Sequence, residues 1–216
     1  MNWIAELKNL PPKGIYSQFN EDLILQEIFK NVGLENKIFV DIGAGLGISN
    51  TRFLREQMWT GLALDANPND VHGITGAWVT PDNIVDLMIG AGIPDEFDFL
   101  NLDIDSCDYW VLQNVLAQFR PRVICTEFNG CLDPSVPVAL VYEDGYFWDQ
   151  TDKYGYSFAA GIKLMAREGY TVIFNQHETN LFAVADEYLG DVYVPQVKAI
   201  KQQYHPHNPG QHWTEV

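Results

Sequence analysis

The segment FVDIGAGLGISN, residues 39–50, constrains the fold more than any other part of the sequence. An apolar run ends at Ile42, and glycines then follow at every second position, at Gly43, Gly45 and Gly47. Apolar runs of this kind are typical of strands buried on both faces of a parallel sheet. Glycines at the end of a strand let the backbone approach a ligand closely. The segment therefore predicts an α/β fold with a ligand beside this turn.

The rest of the chain alternates between strand and helix patterns, as a parallel sheet with crossover helices requires. The spacing predicts helices over 20–32, 49–57, 82–90, 107–119 and 157–169. It predicts strands over 37–43, 60–66, 73–79, 96–105 and 122–130, and a pair of strands within 170–185 that forms an antiparallel hairpin. We expect a doubly wound, mostly parallel seven-stranded sheet with Rossmann-like character, closed by this C-terminal hairpin.

Three stretches depart from that regular alternation. Residues 69–80 are too few for a crossover helix, a strand and their loops, so the second crossover helix is expected to be missing. Residues 131–156 carry many aromatic side chains among Pro, Gly and Asp, which favours a lid-like loop. Residues 195–216 contain prolines and histidines without periodicity and are expected to form an irregular tail. We expect a single domain over 1–216.

The balance of charge limits the possible partners. The chain has 13 Lys and Arg against 29 Asp and Glu, a formal net charge of −16. Such a surface repels nucleic-acid phosphate and anionic lipid. The expected partner is a small neutral or cationic molecule, although an acidic surface also serves solubility. No apolar run is long enough for a membrane helix, and the N-terminus lacks the pattern of a secretory signal. The three cysteines form no C-x-x-C pair, so we expect a cytoplasmic protein with reduced thiols.

An acidic residue follows the glycine turn at the spacing that nucleoside binding requires. Asp65 ends the second predicted strand, about 20 positions after Gly43, where a carboxylate accepts the hydroxyls of a ribose. The dinucleotide fingerprint G-x-G-x-x-G needs a glycine at position 48, which is Ile48 here. The spacing therefore favours a nucleoside cofactor over a dinucleotide.

The motifs "VDIGAGLG" and "LALDANP" resemble the first two motifs of class I S-adenosylmethionine-dependent methyltransferases. The segments "YSQFNEDLILQEIF", "FDFLNLDIDSCDYWVL" and "YGYSFAAGIKLMAREGY" resemble the FkbM-like branch of that family, over about residues 16–185. The stretch 69–80 is shorter than the corresponding segment of that family, which carries a helix and contacts to adenine. In the family, a hairpin also closes a seven-stranded sheet.

The resemblance implies an S-adenosyl-L-methionine cofactor and methyl transfer to an oxygen of a sugar or other small metabolite. The cofactor-binding residues that it implies are Gln18, Asp41, Gly43, Ala44, Gly45, Asn50, Asp65, Ala66 and Asp103. Two other functions remain open on the sequence. One is a degenerate methyltransferase fold that acts as a binding or complex module, and the other is a nucleotide-dependent oxidoreductase.

Polar residues at the ends of the fourth and fifth predicted strands offer two routes to activate an acceptor hydroxyl. The first is Mg²⁺ held by Asp103 or Asp105 together with Glu127 and Asn129, an arrangement that resembles the metal site of catechol and macrocin O-methyltransferases. The second is general base catalysis by Asp103 or Asp105, or by His177 in the predicted hairpin turn.

Overall fold

The computed structural model describes residues 2–45, 50–67, 73–177, 179–199 and 212–216. It shows an α/β protein with a seven-stranded, mostly parallel sheet of Rossmann-like character and a second, two-stranded antiparallel sheet. The strands are β1 (Ile38–Ile42), β2 (Thr60–Asp65), β3 (Thr75–Gly76), β4 (Glu96–Leu102), β5 (Arg120–Glu127), β6 (Val138–Leu140), β7 (Tyr170–Gln176), β8 (Asn180–Ala185) and β9 (Trp213–Glu215). The helices are α1 (Trp3–Glu6), α2 (Glu21–Val32), α3 (Arg52–Glu56), α4 (Ile84–Gly90), α5 (Asp108–Leu116) and α6 (Phe158–Arg167), with short 3₁₀ turns at Leu7–Asn9 and Asp186–Tyr188.

The large sheet has the strand order β3-β2-β1-β4-β5-β8-β7. The first five strands of this order are parallel, and β8 runs antiparallel to both β5 and β7. The chain order reverses between β1 and β4, and at such a switch point the carboxyl ends of the strands leave a crevice for a ligand. The predicted parallel sheet and its antiparallel hairpin are confirmed.

Helices cover both faces of this sheet, because strand residues alternate between two apolar layers. Phe39, Phe99 and Val123 are paired neighbours that pack with α2 and α3. Their chain successors Val40, Leu100 and Ile124 point to the other face and pack with α4, α5 and α6. The central strands β1, β4 and β5 are rich in apolar residues because they are buried on both sides.

Helix α6 shows why the local sequence folds as predicted. Ser157 is extended, and its hydroxyl oxygen accepts a hydrogen bond from the Ala160 amide at 3.2 Å. This satisfies an amide that the first turn of the helix leaves unpaired. Gly169, just past the helix, has a φ of +75°, a left-handed conformation that glycine adopts without strain.

Two predicted irregular regions join to form the small sheet. Strand β6 lies inside the predicted loop 131–156, and β9 lies inside the predicted tail 195–216. They pair antiparallel, with Leu140 opposite Trp213, and both side chains belong to a small apolar cluster. The sequence predicted a loop and an irregular tail here and did not show these two strands, because strands of three residues are too short to show a period.

Parts of other predictions fall on residues that the structure does not describe. The start of the predicted helix 49–57 and the third glycine, Gly47, lie in 46–49. The expected absence of a second crossover helix concerns a segment that includes 68–72, also outside the described residues. The third strand is shorter than predicted, two residues in place of seven. Within the described residues, no helix is both long and apolar enough to cross a bilayer.

Candidate functional site

A cavity of about 520 Å³ opens at the carboxyl ends of the central strands. Its described lining brings together every residue that the sequence analysis assigned to the cofactor, from the glycine turn, from β1, and from the ends of β2 and β4. The lining residues are Gln18, Glu21, Asp41, Gly43, Ala44, Gly45, Asn50, Asp65, Ala66, Asn67, Asn101, Asp103, Ile104, Asp105, Phe147 and Asn180. The volume lies within the roughly 300–1,000 Å³ typical of small-molecule sites.

The glycine turn forms one wall, but Gly43 is fixed by the protein's own backbone. Gly43 has a φ of +85°, and a Cβ at this position would lie 1.6 Å from the carbonyl oxygen of Asp103. The Gly43 amide donates to the Leu64 carbonyl at 2.9 Å. At Gly43, the close approach that the sequence indicated is therefore between the ends of β1 and β4. Gly45 lies farther along the cavity wall and has a φ of +63°.

Asp65 connects the glycine turn to the end of β2. Its Oδ2 accepts a hydrogen bond from the Gly45 amide at 3.0 Å, and its Oδ1 accepts one from the Asn67 amide at 2.7 Å. Each carboxylate oxygen retains further acceptor capacity. Asp65 therefore holds the turn in shape and also presents a carboxylate edge to the cavity.

A hydrogen-bonded chain of polar side chains supports the floor beneath the turn. Asn50 donates to the Asn101 Oδ1 at 3.0 Å, and Asn101 donates to the Asp41 Oδ1 at 2.8 Å. The Thr51 hydroxyl donates to the other oxygen of Asp41. Asp41 is fully buried, so these donors compensate its charge. Asp41 thereby anchors Asn50 and Asn101 in the cavity wall.

Three carboxylates cluster where β4 and β5 end. One oxygen each of Asp103, Asp105 and Glu127 lies within 4.8 Å of the other two. Asp103 and Asp105 line the cavity. Asp105 has a φ of +53°, which turns the chain sharply, and Asp108 holds this turn by accepting from the amides of Ile104 and Ser106, both at 2.9 Å. We call Asp103, Asp105 and Glu127 the acid cluster.

Burial and mutual repulsion raise the pKa values in this region. Burial, and then the charges of Asp108 and Asp105, raise the pKa of Asp103 from 3.8 to about 7. Burial raises the pKa of Asp105 as well, and burial with the charges of Asp103 and Asp105 raises the pKa of Glu127 well above its usual value. Burial and mutual repulsion therefore oppose the simultaneous ionisation of all three carboxyl groups.

Asn129 was predicted as a metal ligand, and that prediction needs correction. Its side chain is buried, its amide nitrogen donates to the carbonyls of Asp152 and Tyr154 at 2.7 and 2.9 Å, and its Oδ1 accepts from the Cys131 amide at 2.9 Å. All of these partners belong to the segment after β5. Asn129 anchors the loop of residues 131–156, which we call the aromatic loop, and the acid cluster of Asp103, Asp105 and Glu127 forms without it.

A second cavity, of about 120 Å³, adjoins the first and is mostly apolar. The stretch 77–79 and the aromatic loop form its walls, and it shares Gly43, Asp65, Ala66, Ile104, Asp105 and Phe147 with the larger cavity. The rings of Trp78 and Phe147 stack with centroids 6.1 Å apart and an interplanar angle of 29°. The predicted lid-like loop thus reaches over this part of the site.

His177, the alternative base, lies away from the described cavity walls. It is exposed in the turn between β7 and β8, with its ring centroid 4.7 Å from that of Phe19. Neither cavity includes it. The ring of His177 packs against Phe19, in the segment before α2, and the structure shows no contact between His177 and the acid cluster among the described residues.

Sequence reasoning missed several residues of the lining, of which Glu21 and Asn180 are the most informative. Glu21 is buried at the start of α2, where its oxygens accept from the Phe19 amide at 2.9 Å and from the Asn180 side chain at 3.2 Å. Glu21 belongs to the motif "SQFNED", so that motif could have indicated it. Asn180 begins β8, and no local pattern marks it.

Comparison of the sequence with models of known protein families and with curated proteins finds no match.

Proposed function

We propose that this protein is an S-adenosylmethionine-dependent methyltransferase that methylates an oxygen of a small metabolite. The sheet order supports the proposal, since an open parallel sheet with its last strand inserted antiparallel agrees with the class I fold that the motifs resemble. The motifs, the topology and the cavity favour the same cofactor.

The observation that carries the proposal is the charge of the larger cavity. Five carboxylate residues line it, namely Glu21, Asp41, Asp65, Asp103 and Asp105, and none of its described lining residues is Lys, Arg or His. A dinucleotide or a coenzyme A derivative brings phosphates, which such a wall repels. A nucleoside that carries a positive charge is attracted to it. This favours S-adenosylmethionine over the cofactor of a nucleotide-dependent oxidoreductase.

The cavity residues fit the parts of this cofactor. Asp65 presents its carboxylate beside the glycine turn, where a ribose diol is recognised in folds of this type. The apolar second cavity, with the ring of Phe147 stacked on Trp78, offers planar walls suited to adenine. These walls come from 77–79 and the aromatic loop, so the shortened stretch 69–80 still leaves a place for the base.

Bound S-adenosylmethionine supplies a methyl group whose transfer to an acceptor oxygen breaks the carbon–sulfur bond and leaves neutral S-adenosylhomocysteine. The acceptor loses a proton in this reaction, and the acid cluster lies at the cavity with carboxylates able to take it up. The aromatic loop forms part of the wall of the second cavity, where it shields the proposed adenine site from water.

Calorimetric titration with S-adenosylhomocysteine and with NAD⁺ tests the proposal. We expect heat of binding with S-adenosylhomocysteine and none with NAD⁺ at ~1 mM ligand. Ala66→Phe places a ring where the two cavities meet and should abolish binding, because Ala66 lines both. Ala91→Phe is the matched control, since Ala91 is exposed and lines neither cavity.

Three results would count against the proposal: no binding of S-adenosylhomocysteine, binding of NAD⁺ in its place, or binding that survives Ala66→Phe. Cofactor binding without methyl consumption across a panel of hydroxylated metabolites would favour the binding module.

A further inference from the structure

Glu21 is a buried carboxylate in the wall of the larger cavity. It begins α2, it lines the cavity, and it is only 1% exposed. The backbone amide of Phe19 and the side-chain amide of Asn180 donate to its two oxygens at 2.9 and 3.2 Å. These bonds hold the carboxylate in one orientation, and each oxygen retains the capacity to accept a further hydrogen bond.

The charge of Glu21 has no cationic partner within the described part of the chain. Both of its donors are neutral, and none of the ion pairs found among the described residues involves it. Asp98, which is equally buried, differs in lying 3.4 Å from the guanidinium of Arg122. A buried carboxylate without a positive partner is costly. A cationic group on a ligand would supply that partner to Glu21.

The sheet places Glu21 away from the proposed adenine and ribose positions. Asp65 ends β2 beside the second cavity, whereas Asn180, the partner of Glu21, begins β8, with β1, β4 and β5 between them. Burial and then the charge of Glu21 raise the pKa of the Cys125 thiol on β5 well above its usual value, so the Glu21 carboxylate lies near β5. With the ribose at Asp65, the amino-acid end of the cofactor is directed across the cavity toward Glu21.

That end of the cofactor carries a positive and a negative group, and only the positive one suits Glu21. A carboxylate attracts the α-ammonium and repels the α-carboxylate. An ammonium offers three N–H donors. Glu21 can accept one of them, and the side-chain oxygen of Asn180, which also lines the cavity, can accept another.

We propose that Glu21, oriented by Asn180, binds the α-ammonium of the cofactor and makes the cavity selective for adenine nucleosides that carry an amino-acid tail. This role of Glu21 rests on the proposed function, since it takes S-adenosylmethionine as the cofactor. Nucleosides that have the same adenine and ribose but lack the ammonium bind weakly, because they leave the buried charge of Glu21 without its partner.

Calorimetric titration with three nucleosides that share adenine and ribose tests this selectivity. S-adenosylhomocysteine carries the ammonium and the carboxylate, its deamino analogue 5′-(3-carboxypropylthio)adenosine keeps the carboxylate alone, and 5′-methylthioadenosine has neither. The wild type should bind S-adenosylhomocysteine at least about tenfold more tightly than either of the others, as expected for one charge-assisted hydrogen bond.

Glu21→Gln keeps the shape of the side chain and removes its charge. It should weaken the binding of S-adenosylhomocysteine at least about tenfold and leave that of 5′-methylthioadenosine unchanged, because the latter has no group that reaches Glu21. Glu96→Gln is the matched control, since Glu96 is exposed at the amino end of β4 and lines neither cavity. Circular dichroism establishes that both variants are folded.

Equal affinity of the wild type for S-adenosylhomocysteine and its deamino analogue would overturn this role of Glu21 and leave the proposed function intact. The same holds if folded Glu21→Gln protein binds S-adenosylhomocysteine as the wild type does, or binds all three nucleosides more weakly by the same factor, which a purely structural role predicts. A wild type that binds none of the three would overturn the proposed function as well. If Glu21→Gln fails to fold, the comparison of the three nucleosides on the wild type decides.

Discussion

Carboxylates lie near both ends of strand β4, and they differ in how many hydrogen-bond donors and cations surround them. Near the amino end, Asp98 is completely buried and accepts hydrogen bonds from the amides of Glu35, Asn36 and Lys37 at 2.7–3.1 Å. The guanidinium of Arg122 lies 3.4 Å from it. At the carboxyl end, the acid cluster has almost no donors. The satisfied carboxylate stabilises the fold, whereas the acid cluster has few such partners among the described residues.

The same difference explains why the carboxyl end cannot be optimised for stability. A Lys or Arg placed among Asp103, Asp105 and Glu127 would neutralise the cluster, but it would also occupy the cavity edge. The stability lost there is supplied elsewhere, by satisfied groups such as Asp98. Residues with unsatisfied polar groups in a cleft are accordingly good indicators of a functional site.

The largest expected effect comes from replacing Asp98, the fully hydrogen-bonded carboxylate near the amino end of β4. Asp98→Asn replaces one acceptor oxygen with an NH₂ that faces backbone amides, and it leaves Arg122 without its buried partner. We expect a loss of about 3 kcal/mol in the free energy of unfolding, measured by urea denaturation. Asp191→Asn is the control for loss of a surface charge. A loss below about 1 kcal/mol would show that Asp98 is not the stabilising group that the comparison requires.

A smaller effect, of opposite sign, is expected at the unsatisfied end. Glu127→Gln removes a buried carboxyl whose pKa is raised by burial and by Asp103 and Asp105. In EDTA at pH 8, the variant should gain about 1 kcal/mol in the free energy of unfolding relative to the wild type. Urea denaturation of the two proteins side by side measures the difference. A clear destabilisation would mean that Glu127 has a stabilising partner, contrary to the comparison.

A third effect, which appears as a slope and not as a single shift, is a dependence of stability on pH. The pKa of Asp103 is raised from 3.8 to about 7, so its stabilising contribution is complete below pH 4 and is lost as the pH rises through 7. Asp103→Asn lacks this titration. Its free energy of unfolding in EDTA should therefore improve relative to the wild type from pH 4 to pH 8, as measured by urea denaturation at each pH. Parallel curves for the two proteins would contradict the raised pKa.

The sequence predicted the parts of this molecule that local pattern controls. The glycine turn, the parallel strands on either side of it and the final hairpin all carry dense apolar runs or turn residues, and the structure confirms them. The carboxyl ends of parallel strands meet at one edge, so the sequence alone could place Asp103, Asp105 and Glu127 close together.

Features that depend on contacts between distant parts of the chain could not be predicted from local sequence patterns. The pairing of β6 with β9 joins two three-residue strands far apart in the sequence, and neither has a period to detect. Asn129 follows Glu127 closely and has the right oxygen, but its side chain is directed to the backbone of the aromatic loop. His177 has suitable chemistry, but it contacts Phe19 and is not among the described lining residues of the cavity. Residue type was predictable for these positions, whereas side-chain direction was not.

The most direct test of the central claim is to locate a bound nucleoside by nuclear Overhauser effects. With ¹³C-labelled protein and unlabelled S-adenosylhomocysteine, the account predicts contacts from the adenine protons to the rings of Trp78 and Phe147, and from the ribose protons to Ala66. Ala66→Phe should remove them all. Adenine contacts to any other surface of the protein, or no contacts at saturating ligand, would contradict the account.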